Sequence, residues 1–162
     1  YAVQLGNTYD TAVSAFRSAD QEKRAAAAVA AANDLYALYQ AESEVQLKKQ
    51  MLQGLAAAQS EKLKELARTE RNLELRQTAI QNLGMMSSEK TGEMLMSLYK
   101  GEKDAELNKA IVRGLFLQRN ATALVQIARQ ETDPAVKKDV VQKLSTMKDN
   151  AAADYMLELL KK

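Results

Sequence analysis

The stretch IARQETDPAVKKDVVQKL, residues 127–144, predicts the end of one helix, a tight acidic turn and the start of a second helix. Asp133 followed by Pro134 marks the second start, because the Asp side chain can accept a hydrogen bond from a free N–H of the first turn and Pro is well tolerated at the first helical position. An apolar stripe follows at offsets 0, 4, 5 and 8, the spacing of one buried helix face. Its members are Val136, Val140, Val141 and Leu144.

The same stripe occurs three more times upstream, so the chain predicts four repeated units. The earlier stripes are Leu47, Met51, Leu52 and Leu55; Leu75, Ala79, Ile80 and Leu83; and Leu107, Ile111, Val112 and Leu115. Nine residues before each stripe is the last core residue of a preceding helix, namely Leu38, Leu66, Leu98 or Ile127. Each unit is therefore a helix A, a short polar turn and a helix B. The B helices are predicted to begin near Glu44, Asn72, Asp104 and Asp133.

Both ends of the chain depart from this pattern. Residues 1–34 predict a degenerate repeat, with Phe16 in its core, or capping helices. A polar residue, Asn33, stands where the pattern requires an apolar one, so a short turn at Asn33–Asp34 is favoured over one long helix. A C-terminal helix is expected to cap the stack, because Met156, Leu157 and Leu160 resemble Met94, Leu95 and Leu98. The total expected is ten or eleven helices in a right-handed curved stack.

A period near 30 residues with paired helices is typical of an α-solenoid. The segments DPAVKKDVVQKL (133–144) and NLELRQTAIQNLG (72–84) resemble the second helix of HEAT repeats, of the short bacterial kind also found in phycobilisome-lyase-like HEAT proteins. The resemblance covers residues 35–162 and implies an all-α superhelix of four HEAT-like helix-turn-helix repeats with a C-terminal capping helix. HEAT arrays share a way of building surfaces, so the resemblance does not identify a partner.

Composition agrees with a helical class and excludes several chemistries. Hydrophobic residues are 46% of the 162 but aromatic residues only 5%, so the core is aliphatic, and one Pro and six Gly leave few helix breakers. With no His and no Cys, thiolate, imidazole and most zinc chemistry is excluded, and no catalytic residue, cofactor or metal is expected. The net charge of +2 and the lack of a long apolar run predict neither nucleic acid nor membrane as partner.

Aligned charged residues are the first candidates for function. One row consists of the turn acids Glu42, Glu70, Glu102 and Glu131, which either bind cations or, as we favour, are solvated acids near helix starts. A second set, a basic ladder on the B helices, either binds an acidic or amide-rich partner or is a solvated face paired with neighbouring acids, which we favour. The ladder consists of Lys48, Lys49, Arg76, Lys109, Arg113, Lys137 and Lys138.

Two aromatic residues, Tyr39 and Tyr99, stand at equivalent positions of their units. They are either anchors for a partner or residues partly buried between units, and the sequence does not separate these interpretations.

The function predicted is a non-enzymatic scaffold that binds a protein or peptide, since a repeat array presents equivalent side chains along one surface. A small-molecule ligand is not expected. The alternatives are a lyase-like or chaperone-like HEAT protein and a nucleic-acid-binding HEAT-like protein. The protein is expected to be soluble, in the cytoplasm or, after removal of a signal peptide, outside it; the start at Tyr1 also allows a fragment of a longer solenoid.

Overall fold

The computed structural model describes residues 2–58, 61–86 and 88–161, with side chains from residue 19 onward except that of residue 89. Within these ranges the fold is all-helical, as predicted, and contains no strand. The helices are α1 (Ala2–Ala41), α2 (Val45–Ala57), α3 (Glu61–Thr69), α4 (Leu73–Met85), α5 (Glu89–Gly101), α6 (Ala105–Leu117), α7 (Ala121–Gln130), α8 (Pro134–Thr146) and α9 (Asn150–Leu160). The described residues thus form nine helices, fewer than the ten or eleven expected.

The four B helices α2, α4, α6 and α8 are each 13 residues long and begin where the sequence predicts. Their N-caps are Glu44, Asn72, Asp104 and Asp133. In the last three, the cap oxygen accepts hydrogen bonds from the second and third backbone N–H groups of the helix, at 2.8–3.2 Å. These bonds satisfy donors that have no partner inside the helix, so local chemistry fixes each start.

Most residues of the four stripes are buried and form one continuous core. All four residues of the α4 stripe and all four of the α6 stripe are buried, and Met51 and Val141 are half-buried. Two expectations are wrong: Leu38 is 59% exposed and Leu47 is 39% exposed. Tyr39 takes the buried place expected for Leu38, while Leu47 lies on the first B helix, whose outer side no earlier B helix covers.

The expected turn at Asn33–Asp34 is wrong, because α1 continues unbroken through both residues. Both side chains are exposed, so neither polar group has to leave the helix to reach water. Residues 24–32 are almost all Ala, the best helix former, and no Gly or Pro interrupts residues 7–53. The expected place of Phe16 in a degenerate first repeat lies outside the residues whose side chains are described.

The C-terminal helix α9 is present, but its buried face differs from the expected one. Leu157 and Leu160 are 56% and 83% exposed, whereas Ala152 and Tyr155 are buried. Met156 is half-buried against the same core. The buried residues of α9 are therefore spaced at helical intervals that begin at Ala152. The alignment with Met94, Leu95 and Leu98 wrongly predicted burial of Leu157 and Leu160.

The B helices pack side by side in chain order, with α4 between α2 and α6, and with α6 between α4 and α8. The closest approach is between α4 and α6, where Gly84 and Gly114 bring the two backbones together. A Cβ on Gly84 would overlap the Cα of Gly114, and a Cβ on Gly114 would lie 3.1 Å from the Cα of Gly84. The glycines are thus required by contact between two helix backbones.

Candidate functional site

The packing order of the B helices places equivalent residues on neighbouring helices. One column holds Lys49, Gln77, Lys109 and Lys138, and a second column, four residues on, holds Gln53, Gln81, Arg113 and Gln142. Side chains four apart share a helix face, so each helix contributes a strip of two polar side chains. Of the second column, Gln53, Gln81 and Arg113 line one cleft between α2, α4 and α6.

Several cations of the ladder are engaged inside the protein. Lys49 on α2 forms an ion pair with Glu74 on α4, and Lys109 pairs with Glu106 of its own helix at 2.7 Å. The ammonium group of Lys48 lies 4.6 Å from the centroid of the Tyr39 ring, a cation–π contact. Among the described side chains, three ladder cations have neither an ion pair nor a cation–π contact. These are Arg113, Lys137 and Lys138.

The turn acids accept hydrogen bonds from the backbone of their own turns, which is more than was expected of solvated acids. In each turn one carboxylate oxygen accepts backbone N–H bonds at the start of the following B helix, at 2.7–2.9 Å. The second oxygen of three of these acids accepts a bond from the preceding unit, so the acids connect units. The three are Glu70, Glu102 and Glu131.

The two tyrosines supply two of these connections. The hydroxyl of Tyr39 donates to Oε2 of Glu70 at 2.5 Å, and the hydroxyl of Tyr99 donates to Oε2 of Glu131. Tyr39 is 1% exposed and Tyr99 is half-buried. Of the two sequence interpretations, the structure therefore agrees with burial between units, with each hydroxyl paired to a carboxylate.

In the unit between them, an arginine replaces the tyrosine. Ala67 occupies the position equivalent to Tyr39, so no hydroxyl can reach the next turn. Arg76 donates through Nε to the carbonyl of Ala67 at 3.1 Å and forms an ion pair with Glu102 at 2.7 Å. The side chains of Arg76 and Glu102 are 21% and 9% exposed, so the pair is largely shielded from water. Arg76 is thus a structural donor at the junction of two units.

These contacts shift the pKa values of the residues involved. Burial raises the pKa of both tyrosine hydroxyls well above the ordinary value, and the adjacent carboxylates raise it further. Burial alone would raise the pKa of Glu70 and Glu131, but the hydrogen bonds that they accept outweigh it and lower the pKa. Backbone N–H bonds lower the pKa of Glu42 as well. These three turn acids, Glu42, Glu70 and Glu131, are therefore held as carboxylates that accept hydrogen bonds.

The described side chains place no group of three or more acidic residues where it could hold a metal ion. Each turn acid instead accepts hydrogen bonds from donors of its own. These bonds explain why an acid recurs at this position without a role in binding a cation. In the described residues, no helix is long and apolar enough to cross a membrane.

Two features were missed by the sequence interpretation. Asn82 is a buried amide, 3% exposed, and its Nδ2 has no hydrogen-bond partner. The equivalent positions of the two neighbouring units hold Gly54 and Gly114. An amide between two glycines is the only feature of the sequence that marks Asn82. Arg119 has a φ of 55°, the left-handed conformation that closes the end of α6, where the N–H of Asn120 donates to the carbonyl of Leu115 at 3.0 Å.

Comparison with protein-family models, with curated proteins and with solved structures gives no match to this chain. The likeness to HEAT repeats therefore depends on the residues and contacts described above.

Proposed function

We propose that the protein is a HEAT-like α-solenoid that binds a protein or peptide partner along its B helices and has no catalytic role. The observation that carries this proposal is the packing of α2, α4, α6 and α8 in chain order, which aligns equivalent side chains on four consecutive helices. The turn acids support the repeat interpretation, because three of them bind a donor from the preceding unit, a tyrosine hydroxyl in two cases and an arginine in the third. A surface repeated in this way lets one extended partner contact several units at once.

The proposed binding surface consists of the two polar columns on the B helices. Tyr39, Tyr99, Lys48 and Arg76 are left out of it, because their polar groups or rings are engaged between or within units. Lys137 and Lys138 extend the surface onto α8. The surface combines cations with amides, so its partner should carry acidic and hydrogen-bonding groups.

The test is a pull-down with the intact chain as bait, followed by affinity measurement on the partner captured. Charge reversal at Lys49, Lys109 and Lys138 together should weaken binding far more than any single reversal, since contact is spread over units. Binding should also weaken as salt rises, because exposed charges are screened over about 10 Å at roughly 0.1 M salt.

A matched control reverses three exposed cations outside the B helices. These are Arg71, Lys100 and Lys103. Circular dichroism must show that both triple variants keep the helical content of the parent. A captured partner that binds the ladder variant as tightly as the parent, or loses affinity equally with the control, would exclude the B-helix surface.

A further inference from the structure

The cleft between α2, α4 and α6 is lined by three residues of the second polar column and by none of the first. It has a volume of about 220 Å³ and is bordered by Gln53 from α2 and Gln81 and Asn82 from α4. Small residues of α6 form one wall, because Ala110 and Gly114 leave room where longer side chains would fill it. Gly114 thus takes part in the close approach of α6 to α4 and also lines the cleft.

Two polar side chains of this cleft, Asn82 and Arg113, have no partner among the described residues for Nδ2 and for the guanidinium, whereas the hydroxyl of Thr78 donates to the carbonyl of Glu74 at 2.9 Å. The side chain of Asn82 is only 3% exposed, and its Nδ2 donates no hydrogen bond. A buried donor without an acceptor costs about 1–3 kcal/mol, so an oxygen from outside would relieve that cost. Arg113 is exposed at the mouth and has no ion pair among the described side chains, and no acidic residue lines the cleft. The cleft therefore offers one cation and several amides to a ligand that supplies oxygen atoms.

The equivalent positions on α8 carry charged side chains in place of the small residues of α6. They are Asp139 and Lys143, which pair with each other at 2.5 Å. Small residues at both positions are therefore a feature of α6 that α8 does not share.

We propose that this cleft receives an acidic side chain of an extended partner peptide, with Arg113 binding its carboxylate and the amides of Gln53, Gln81 and Asn82 binding its oxygen atoms or adjoining backbone. The volume favours a peptide side chain, since pockets for whole small molecules usually measure about 300–1,000 Å³. Met85 and Leu117, 64% and 50% exposed, border the cleft and would contact apolar residues beside the acid. This inference rests on the proposed function and specifies the partner as acidic and apolar.

The probe is a displayed library of random twelve-residue peptides, selected on the intact chain. The enriched peptides should share an Asp or Glu next to large apolar residues. A synthetic copy of the strongest binder should bind at least about 10-fold more weakly to the Arg113→Glu protein and to the Asn82→Leu protein. Each substitution removes a contact that contributes a factor of about 10 or more to the affinity. Lys138→Glu, a charge reversal on the same surface but outside the cleft, should change affinity less than about 2-fold.

Replacing the acid of the peptide by its amide completes the design. The amide peptide should bind the parent weakly and should lose nothing further with Arg113→Glu, since both changes remove the same pair. Asn82→Leu removes an unpartnered amide and should keep the fold, which circular dichroism checks. If it does not fold, Arg113→Glu on the exposed rim still decides the question.

The outcomes separate the two proposals. Enriched peptides that tolerate both cleft variants but lose affinity with triple reversal at Lys49, Lys109 and Lys138 would overturn the cleft and support the scaffold. Enrichment of basic or uncharged peptides would overturn the acidic specificity. If no peptide is enriched over the bare support, the cleft and the peptide-binding scaffold are both overturned.

Discussion

The bond between Tyr39 and Glu70 offers a direct measure of how strongly consecutive units are coupled. Tyr39→Phe removes the hydroxyl that donates at 2.5 Å and keeps the buried ring. A hydrogen bond to a charged group contributes about 1.5–3 kcal/mol, and Glu70 keeps its bond from the N–H of Asn72 and partial access to water. We therefore expect the free energy of unfolding to fall by about 1.5–2 kcal/mol, the lower part of that range.

A matched control lies one turn earlier on the same helix. Tyr36 also has a lysine over its ring, with the ammonium nitrogen 4.8 Å from the ring centroid. Its hydroxyl also donates to a glutamate, Glu65, but at 3.4 Å and exposed to solvent. Tyr36→Phe should therefore change stability by less than about 0.5 kcal/mol. Urea melts followed by circular dichroism compare the two variants, provided that their m values agree with the parent. Equal losses from both substitutions would refute the idea that the buried bond couples the units.

The same pair predicts a dependence on pH with a definite sign. Burial raises the pKa of Glu70, but the bonds from Tyr39 and Asn72 outweigh it, so the folded pKa lies below the ordinary value of 4.5. A carboxyl group whose pKa is lowered by folding contributes its full stability at pH values above its unfolded pKa. That contribution is lost as the pH falls through its folded pKa. The cost of Tyr39→Phe should therefore be full at pH 7 and should shrink as the pH falls through the folded pKa of Glu70, because a neutral bond then replaces a charged one. A cost that stays constant down to the pH at which the parent unfolds in acid would exclude the carboxylate as the reason.

Three further predictions concern the core, the contact between α4 and α6, and the end of α6. Leu115→Ala should cost about 2–5 kcal/mol because Leu115 is fully buried, whereas Lys138→Ala on the exposed face should stay within about 0.5 kcal/mol; equal losses in urea would mean that the faces are reversed. Gly84→Ala should cost about 1–2 kcal/mol after the gain in helix propensity, but Gly101→Ala, with nothing within 4 Å, should be neutral or stabilising in thermal melts, and the opposite order would contradict the close helix approach. Arg119→Gly should stabilise by up to ~1 kcal/mol because φ is 55°, and a lower melting temperature in calorimetry would count against that conformation.

The features that could be predicted from sequence are those that depend on neighbours in the chain. Asn72, Asp104 and Asp133 cap helices because their short side chains reach the second and third N–H groups beyond them, whatever else packs nearby. The stripes of α4 and α6 were predictable for a similar reason, since helical spacing alone gathers their residues on one face.

The features that could not be predicted depend on distant parts of the fold. No local signal shows that Tyr39 reaches a turn 31 residues later, or that Arg76 makes the corresponding bond where Ala67 replaces the tyrosine. The sequence pattern predicted a turn because Asn33 aligns with apolar residues of the other units. An exposed polar residue does not interrupt a helix, so α1 continues through it. For the candidate site, the columns were predictable, but the cleft depends on a helix approach that only the structure reveals.

The contact of Gly84 with Gly114 also has a consequence for the order in which the chain unfolds. For the repeat array proposed above, stability is the sum of each unit and its interfaces with neighbours, so the tightest interface should hold the last structure to melt. Because α4 and α6 meet backbone to backbone, their amide protons should exchange with deuterium most slowly, and exchange should quicken toward α2 on one side and α9 on the other. The protein would then lose its ends first and pass through a partly unfolded form that keeps only the α4–α6 pair.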